Sequence, residues 1–497
     1  MTAEHTSSHP RRVLHALSIS WPYLNGYTVR SRGLIEAQAA SGKWLPFVVT
    51  SPYYPDNPAA IRDCELNNIQ YLRVPHPTNS EGLGRPSDAL AAGLHGLGRA
   101  AAATGRRIER RADHTDVTDH GGTRDNSNIA HSTKIESRRR TGVSSAVLGA
   151  LWDARQAPRE RLQDLESTLL MARFKRKLTA IARAEKPALV HAHSPFRVGL
   201  PAIAAARKIG APVVYEVRGL WEESAVSSGD FRRGDRRYRS WRTAEDRAMR
   251  EADAVVCICE SLKQEMLSRG IPERKLFVVP NAVGSDVLSF ASAAKNKAPE
   301  DSPRLAEVRA RLRPFVLGYI GSVRRMEGIA ELVRAGAQMV RRGCDISVLV
   351  VGGGDIAPLK QLAEDLNVEG RTVFTGEIEH AQIAGFYSLI DAFVISRPDE
   401  PVTRTVTPLK PLEAMALGRA LIVSDLPALR EIVTDGETGL VYPAGNPTAL
   451  AHAGQQLLDD PDYRYRLADH GREWVTAHRT WAAIVNGYDK VYASVGA

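Results

Sequence analysis

Short apolar runs alternate with longer amphipathic stretches along this chain, and the whole pattern occurs twice. In the first half the apolar runs are 13–18, 47–50, 71–74, 189–193, 213–217, 254–259 and 276–279, with amphipathic stretches such as 30–40 and 241–252 between them. In the second half they are 315–319, 346–351, 372–374, 392–396, 420–423 and 439–442, separated by helical runs at 329–341, 356–366, 411–416, 426–433 and 447–458. Such alternation predicts parallel sheets covered by helices, hence an α/β fold with two Rossmann-like domains. In open sheets of this type ligands bind at the carboxyl ends of the strands, so the loops after the apolar runs are where binding chemistry is expected.

The expected boundaries are a first domain at 1–284, a linker at 285–313, a second domain at 314–472 and a C-terminal helix at 473–497. The join is polar and poorly patterned, and a shallow helix at 304–312 closes it. One segment breaks the pattern. Residues 78–150 open with glycine and proline, run basic through Arg99, Arg106, Arg107, Arg110 and Arg111, and reach Arg138, Arg139 and Arg140 after a polar stretch. Low hydrophobicity there predicts a partly disordered, loosely helical insertion in the first domain. It reads either as a solvated insertion or as a contact with an anionic membrane surface or lipid acceptor. Residues 148–183 then read as one or two long helices, with Leu151, Trp152, Leu162, Leu165, Leu169 and Phe174 facing a core.

At 497 residues, 43% hydrophobic and 25% charged, the chain has the composition of a soluble globular protein of two or three domains. No apolar run is long enough for a membrane span, and the first twelve residues lack the apolar core of a signal peptide, so a cytoplasmic location is expected. The four cysteines are few and scattered. Cys257 and Cys259, in one apolar run, are expected on opposite faces, which argues against a disulfide or metal site. A net charge of +9 and a pI of about 9.4 leave nucleic acid, anionic lipid or anionic small substrates as partners. Without zinc-finger spacing or an aromatic RNA-binding signature, nucleic acid is set aside in favour of anionic lipid or a diphosphate.

The chemistry-bearing residues cluster after the apolar runs. Arg397 closes the run 391–396, and the following loop is expected to bring Arg404 and Lys410 near the same strand end, with Glu413 on the first turn of the next helix. Cations beside a helix start suit phosphate, and a carboxylate one turn in suits a sugar hydroxyl. Asn25-Gly26, after the first run, is either an ordinary turn or a backbone opening toward a diphosphate. His191 and His193 end another run. Alternation is taken to send them to opposite faces, with His193 either hydrogen-bonding a sugar or acting as a core or capping histidine. No third ligand at sensible spacing supports a metal. Glu216 and Arg218, with Gly219 and Trp221, fit carbohydrate contact or a surface ion pair. Gly321-Ser322, followed by Arg324 and Arg325, suits phosphate oxygens. Residues 374–378 offer main-chain groups for a base, residues 279–283 read as a structural turn, and Asp460-Pro461-Asp462 reads as a cap. The absence of Gly-x-Gly-x-x-Gly weighs against a nicotinamide-dependent dehydrogenase.

Together, residues 25–30, 215–221, 318–322 with Glu327-Gly328, and 406–415 resemble family-4 retaining glycosyltransferases of the GT-B fold, in particular bacterial enzymes of exopolysaccharide assembly, including those associated with exosortase systems. The resemblance covers nearly the whole chain outside 78–150. It implies two Rossmann-like domains facing across a cleft, with the C-terminal helix returning to the first. It implies a nucleotide-diphosphate-sugar donor, a UDP-sugar, held mostly by the second domain, and a glycan or lipid-linked acceptor on the first. Cofactor and metal are not required. Gly26 would contact the diphosphate side, His193 the donor sugar, and Glu413 the ribose, as the second glutamate of the family's Glu-x7-Glu motif. The assigned roles are catalytic for His193, Lys410 and Arg404, donor-binding for Gly26, Ser322, Arg397, Thr407, Leu409 and Glu413, and substrate-binding for Asn25, Tyr27, Glu216 and Arg218. The chain departs from the family at Thr405, where the first glutamate would fall, and at Ser322 and Glu327, where the phosphate-binding arginine and lysine would fall. Arg397, Arg404 or Lys410 is then expected to supply the missing positive charge. The implied reaction retains anomeric configuration, stabilises the leaving diphosphate electrostatically and uses no protein nucleophile. It would run in the cytoplasm, peripherally at the inner face of the membrane. Two other readings are a nucleotide-sugar epimerase or hydrolase on the same plan, and an inactive sugar-nucleotide-binding partner.

Overall fold

The computed structural model describes residues 10–23, 25–53, 63–76, 145–296 and 302–497. The insertion expected at 78–150 lies outside the described residues up to position 144. Among the described residues no helix is long and apolar enough to cross a membrane.

The first sheet contains β1 (Arg11–Leu17), β2 (Trp44–Thr50), β3 (Cys64–Leu66), β4 (Ile69–Arg73), β5 (Leu189–His193), β6 (Val213–Val217), β7 (Ala254–Cys257) and β8 (Leu276–Val278). Their order is β3-β4-β2-β1-β5-β6-β7-β8, parallel throughout except for the β3–β4 pair. The second sheet contains β9 (Phe315–Ile320), β10 (Ile346–Val351), β11 (Thr372–Phe374), β12 (Ala392–Ile395), β13 (Ala420–Ser424) and β14 (Leu440–Tyr442), in the order β11-β10-β9-β12-β13-β14 and parallel throughout. Every apolar run of the sequence forms a strand. The physical reason is visible in β9, β10 and β12, where every residue is buried. Helices cover both faces, so no position needs a polar side chain. Strand order reverses between β1 and β5 and between β9 and β12. Each sheet therefore has a crevice at its carboxyl edge.

β3 was not expected. It pairs with β4 through the two-residue turn Asn67-Asn68, whose φ angles are 52° and 61°. Asparagine tolerates this left-handed conformation, and the paired positive angles suit a tight hairpin.

Met1–Val74 and Lys175–Ala497 form one compact unit, which holds both sheets. The helix Asn486–Ser494 packs on the first sheet, where Tyr488, Val491 and Tyr492 join a cluster with Val13, Leu189, Val214 and Val256. The polar join carries the helices Ser285–Asn296 and Pro303–Arg309. Asp460 caps the helix Pro461–His478 by accepting from the Tyr463 N–H at 2.8 Å. Pro75–Phe174 form the second unit, described at 75–76 and at 145–174, the part of the helix Ser145–Glu185 that it holds. Within it Arg173 Nε donates to the Pro75 carbonyl at 3.0 Å. Phe174 is buried, but Leu165 is 44% exposed, contrary to its expected core position.

Candidate active site

The carboxyl edge of the first sheet is built around the helix Gly26–Ala40. Asn25 caps it: its side-chain oxygen accepts from the Thr28 N–H at 3.0 Å, and Thr28 Oγ1 accepts from the Asn25 N–H at 2.9 Å. This reciprocal cap fixes the helix entry. Tyr27 Oη accepts from the Ser18 N–H at 3.0 Å, tying the first turn to the end of β1. A Cβ added to Gly26 would meet Leu409 Cδ1 at 3.8 Å, and one on Gly219 would meet Val406 Cγ2 at 3.6 Å. Both glycines thus face the segment 406–409, which follows β12 of the second sheet.

Beneath this helix start lies a buried polar cluster. Glu216, fully buried at the end of β6, accepts from Arg30 Nε at 3.0 Å and Arg218 Nε at 2.7 Å on Oε1, and from Tyr488 Oη at 2.6 Å on Oε2. Arg30 also donates to the carbonyls of Val279 and Pro280, to Asn281 Oδ1 and to Tyr488 Oη, so all five of its N–H groups are used. Burial favours a neutral Glu216 carboxyl, yet the two guanidinium groups hold its pKa well below the carboxylate range. Arg218 Nη1 donates to the Tyr27 carbonyl at 2.8 Å and Ser31 Oγ at 2.6 Å, and its guanidinium stacks over the Tyr27 ring. Glu216 has no exposed surface and both oxygens engaged. Its expected contact with substrate is therefore corrected to a scaffolding role.

Two expectations about the histidines are also corrected. Residues two apart on a strand share a face, and the His191 and His193 rings stack with centroids 4.3 Å apart. A third imidazole lies beside them: His15 of β1 is in register with His191 of β5. These three residues are the one group among the described residues with donor atoms close enough to suit a metal, all within 4.8 Å. Five of their six ring nitrogens already make hydrogen bonds, which leaves only His191 Nε2 without one. The cluster is wired by hydrogen bonds instead: His15 to His193 at 3.0 Å, His15 to Gln38 at 2.8 Å, Arg218 to His193 at 2.7 Å and His191 to Tyr492 at 2.7 Å. The same two-residue spacing applies to Cys257 and Cys259. Here the strand ends at Cys257, Cys259 donates to the Thr405 carbonyl at 3.1 Å, and all four cysteines are free.

On the second sheet, Glu327 is buried at the end of the β9 loop and pairs with Arg397 Nη2 at 3.1 Å and Lys410 Nζ at 2.9 Å. Burial would raise its pKa, but Arg397 and Lys410 together pull it far below the carboxylate range. The charge at position 327 is reversed relative to the resembled family, and two cations from the β12 side gather on it. Lys410 is the more open of the two, with its side chain 19% exposed, and its ammonium lies 5.2 Å from the Tyr319 ring centroid. Gly321 makes room for it. With φ of 146°, an added Cβ would sit 2.1 Å from Lys410 Cε. Gly328, at φ of 68°, likewise lets the loop approach the Ser396 carbonyl.

Arg404 does not join this group. The helix Pro401–Thr405 interrupts the presumed loop and turns Arg404 outward, 57% exposed and paired with Asp399, with Nη2 2.6 Å from Oδ2. The expectation that it supplies phosphate-binding charge is corrected on that ground. Glu413 lies in the first turn of Lys410–Ala416 and accepts from Tyr387 Oη at 3.0 Å, and burial raises its pKa. Ser322 is exposed at the end of β9. Thr407 is joined to the first domain by Asn281, whose Nδ2 donates to the Thr407 carbonyl at 2.8 Å. Asn281 thus links Arg30 to the segment that carries Lys410, a role beyond the simple turn read at 279–283. His15, Gln38, Tyr387, Tyr488 and Tyr492 went unrecognised in the sequence. The one available signal was a histidine near the end of each of two apolar runs.

Residues 304–474, which carry β9 to β14, match glycosyl transferases group 1, and residues 136–287, which carry β5 to β8, match glycosyltransferase family 4. The alpha-D-kanosaminyltransferase of Streptomyces kanamyceticus is 28% identical over 322 residues, covering 63% of this chain and 79% of that protein. Sucrose-phosphate synthase from Thermosynechococcus elongatus superposes with a TM-score of 0.63 at 19% identity, over 98% of this chain and 99% of that one. Anabaena HepE in complex with UDP-glucose gives a TM-score of 0.60 at 14% identity, over 97% of this chain and 100% of that one. At these identities the two structures bear on the fold alone. Two glycosyltransferase models, family 4 and group 1, thus match successive stretches of this chain, whose fold is that of GT-B glycosyltransferases.

Proposed function

We propose that the chain is a retaining glycosyltransferase that moves a sugar from a nucleotide-diphosphate donor, a UDP-sugar, to a glycan or lipid-linked acceptor in bacterial cell-surface polysaccharide synthesis, as in exosortase-associated systems. The observation that carries this reading is the Arg397–Glu327–Lys410 cluster, whose open member Lys410 is three residues from Glu413. The cluster carries one net positive charge for a leaving diphosphate, and Glu413 offers a carboxylate to a ribose hydroxyl. Gly26 faces this segment from the first domain, beside a start of helix whose capping leaves main-chain N–H groups for phosphate. The UDP-glucose complex of HepE supports a nucleotide-sugar donor on this fold. Fixed cations stabilising the leaving diphosphate would make the reaction independent of metal.

A panel of nucleotide sugars, read by thermal shift and diphosphate release with and without a membrane lipid extract, tests the assignment. Release that requires the extract is the expected result. Release without it would favour an epimerase or hydrolase, and binding without turnover under both conditions would favour an inactive partner. Peripheral attachment at the inner membrane face belongs to the same reading and draws on the arginine-rich stretch 99–140. The full chain should float with anionic liposomes and lose that binding when 99–140 is deleted. Equal flotation of both forms would refute the attachment.

A further inference from the structure

The buried histidines, taken with the C-terminal helix, form a closed circuit whose direction can be derived. Arginine has no acceptor, so His193 Nδ1 must accept from Arg218 Nη2 at 2.7 Å. The His193 proton is then on Nε2, which donates to His15 Nδ1 at 3.0 Å. His15 in turn carries its proton on Nε2 and donates to Gln38 Oε1 at 2.8 Å. The Gln38 amide donates to Tyr492 Oη at 2.7 Å. Tyr492 spends its own proton on His191 Nδ1 at 2.7 Å, because His191 Nε2, which makes no hydrogen bond, lies 3.4 Å from Glu216 Oε2 and beside a carboxylate must carry N–H, not a lone pair. Glu216 closes the circuit by accepting from Arg218 Nε at 2.7 Å.

We propose that Tyr492 and Gln38 are positioning residues for sugar transfer: they complete a run of hydrogen bonds, closed by the His191–Glu216 contact, that holds the rings of His15, His191 and His193 in the Nε2–H forms set by Arg218 and Glu216 and so keeps Arg218 beneath the first turn of the helix Gly26–Ala40. The consequence for transfer rests on the function proposed above. Arg218 holds that turn through the Tyr27 carbonyl and Ser31 Oγ, and the turn faces Leu409 next to Lys410. Residues of the last helix would thus set the donor's wall without touching it. Burial favours the neutral form of all three imidazoles and lowers their pKa values. The charged groups that face them are Arg30, Arg218 and Glu216.

The test is imidazole ¹⁵N spectroscopy of the full chain, beside steady-state kinetics. The unmodified protein should show three histidines in the Nε2–H form that stay neutral through the range in which a free imidazole titrates. Tyr492→Phe should strip the hydrogen bond from His191 Nδ1, shifting that ¹⁵N resonance while the proton stays on Nε2 opposite Glu216, and lower kcat by about 10- to 100-fold, with donor KM little changed. Gln38→Glu provides a second arm. Its carboxylate would accept from both His15 and Tyr492, so Tyr492 would turn its proton away and His191 would have to donate from Nδ1. Ordinary titration of the three histidines in the unmodified chain, or Nδ1–H forms there, would overturn the circuit. Loss of the Tyr492–His191 hydrogen bond with unchanged kcat would overturn the positioning role. The spectra require no substrate, so they judge the circuit even if the unmodified chain turns over no nucleotide sugar, a result that would count against the transferase reading.

Discussion

Lys410→Ala should all but abolish transfer and donor binding while the fold survives, with kcat/KM falling by about 10³-fold. The argument is one of charge placement. Lys410 and Arg397 share Glu327, but Arg397 is only 5% exposed and also donates to the Val406 carbonyl at 3.0 Å, so it serves to hold the loop. Lys410 is the cation that can shift toward an arriving diphosphate, and Arg404 is occupied elsewhere. Removing the ammonium leaves Glu327 with both bonds from Arg397, so the buried acid keeps a counter-ion. The loss of stability should therefore stay near 1–2 kcal/mol, within reach of a normal melting profile. Burial also lowers the Lys410 pKa, against the pull of Glu327. The cation is therefore lost as pH rises, and the alkaline limb of the rate profile should disappear with the residue. Donor titration by calorimetry and a melting curve decide the case, and normal turnover in the variant would remove Lys410 from the site.

How much of this was legible depends on which residues carry local information. Fully buried parallel strands write themselves as unbroken apolar runs, so β9 and β12 could be read directly. β3 could not, because Cys64–Leu66 is short and its burial is partial; only the Asn67-Asn68 turn marked it. Lys410 and Glu413 were readable because they stand where a strand hands over to a helix. Arg404 misled because the five-residue helix Pro401–Thr405 has no apolar period long enough to register, yet it rotates the side chain away from the cluster. His15 was invisible because its meaning depends on β1 lying beside β5, a pairing made across most of the first domain. Tyr488 and Tyr492 sit one helical turn apart, and nothing in their own neighbourhood tells where that face will dock. Sequence thus displays the open rim of the site better than the polar core that supports it.

That polar core sets the largest expected loss of stability. Glu216→Ala should destabilise the chain by about 3–5 kcal/mol, because it leaves two buried guanidinium groups without their anion. Arg30 and Arg218 have side chains only 2% and 7% exposed, so water cannot replace the carboxylate without opening the sheet edge. Tyr488 Oη and His191 Nε2 lose the acceptor they face as well. The pH dependence follows from the depressed carboxyl. Its contribution is complete above the ordinary glutamate pKa and is lost only as pH falls toward the much lower folded value. The variant should accordingly differ most from the parent at neutral pH and converge with it in strong acid. Because the penalty comes from unpaired charge, not lost volume, a second substitution can identify it. Adding Arg218→Met to Glu216→Ala removes one stranded cation and should recover part of the lost melting temperature, even though it deletes a further hydrogen-bonding group. If the double variant instead melts at the sum of the two single losses, the stranded charge is not the cause, and Glu216 would matter only as one hydrogen-bond acceptor among several.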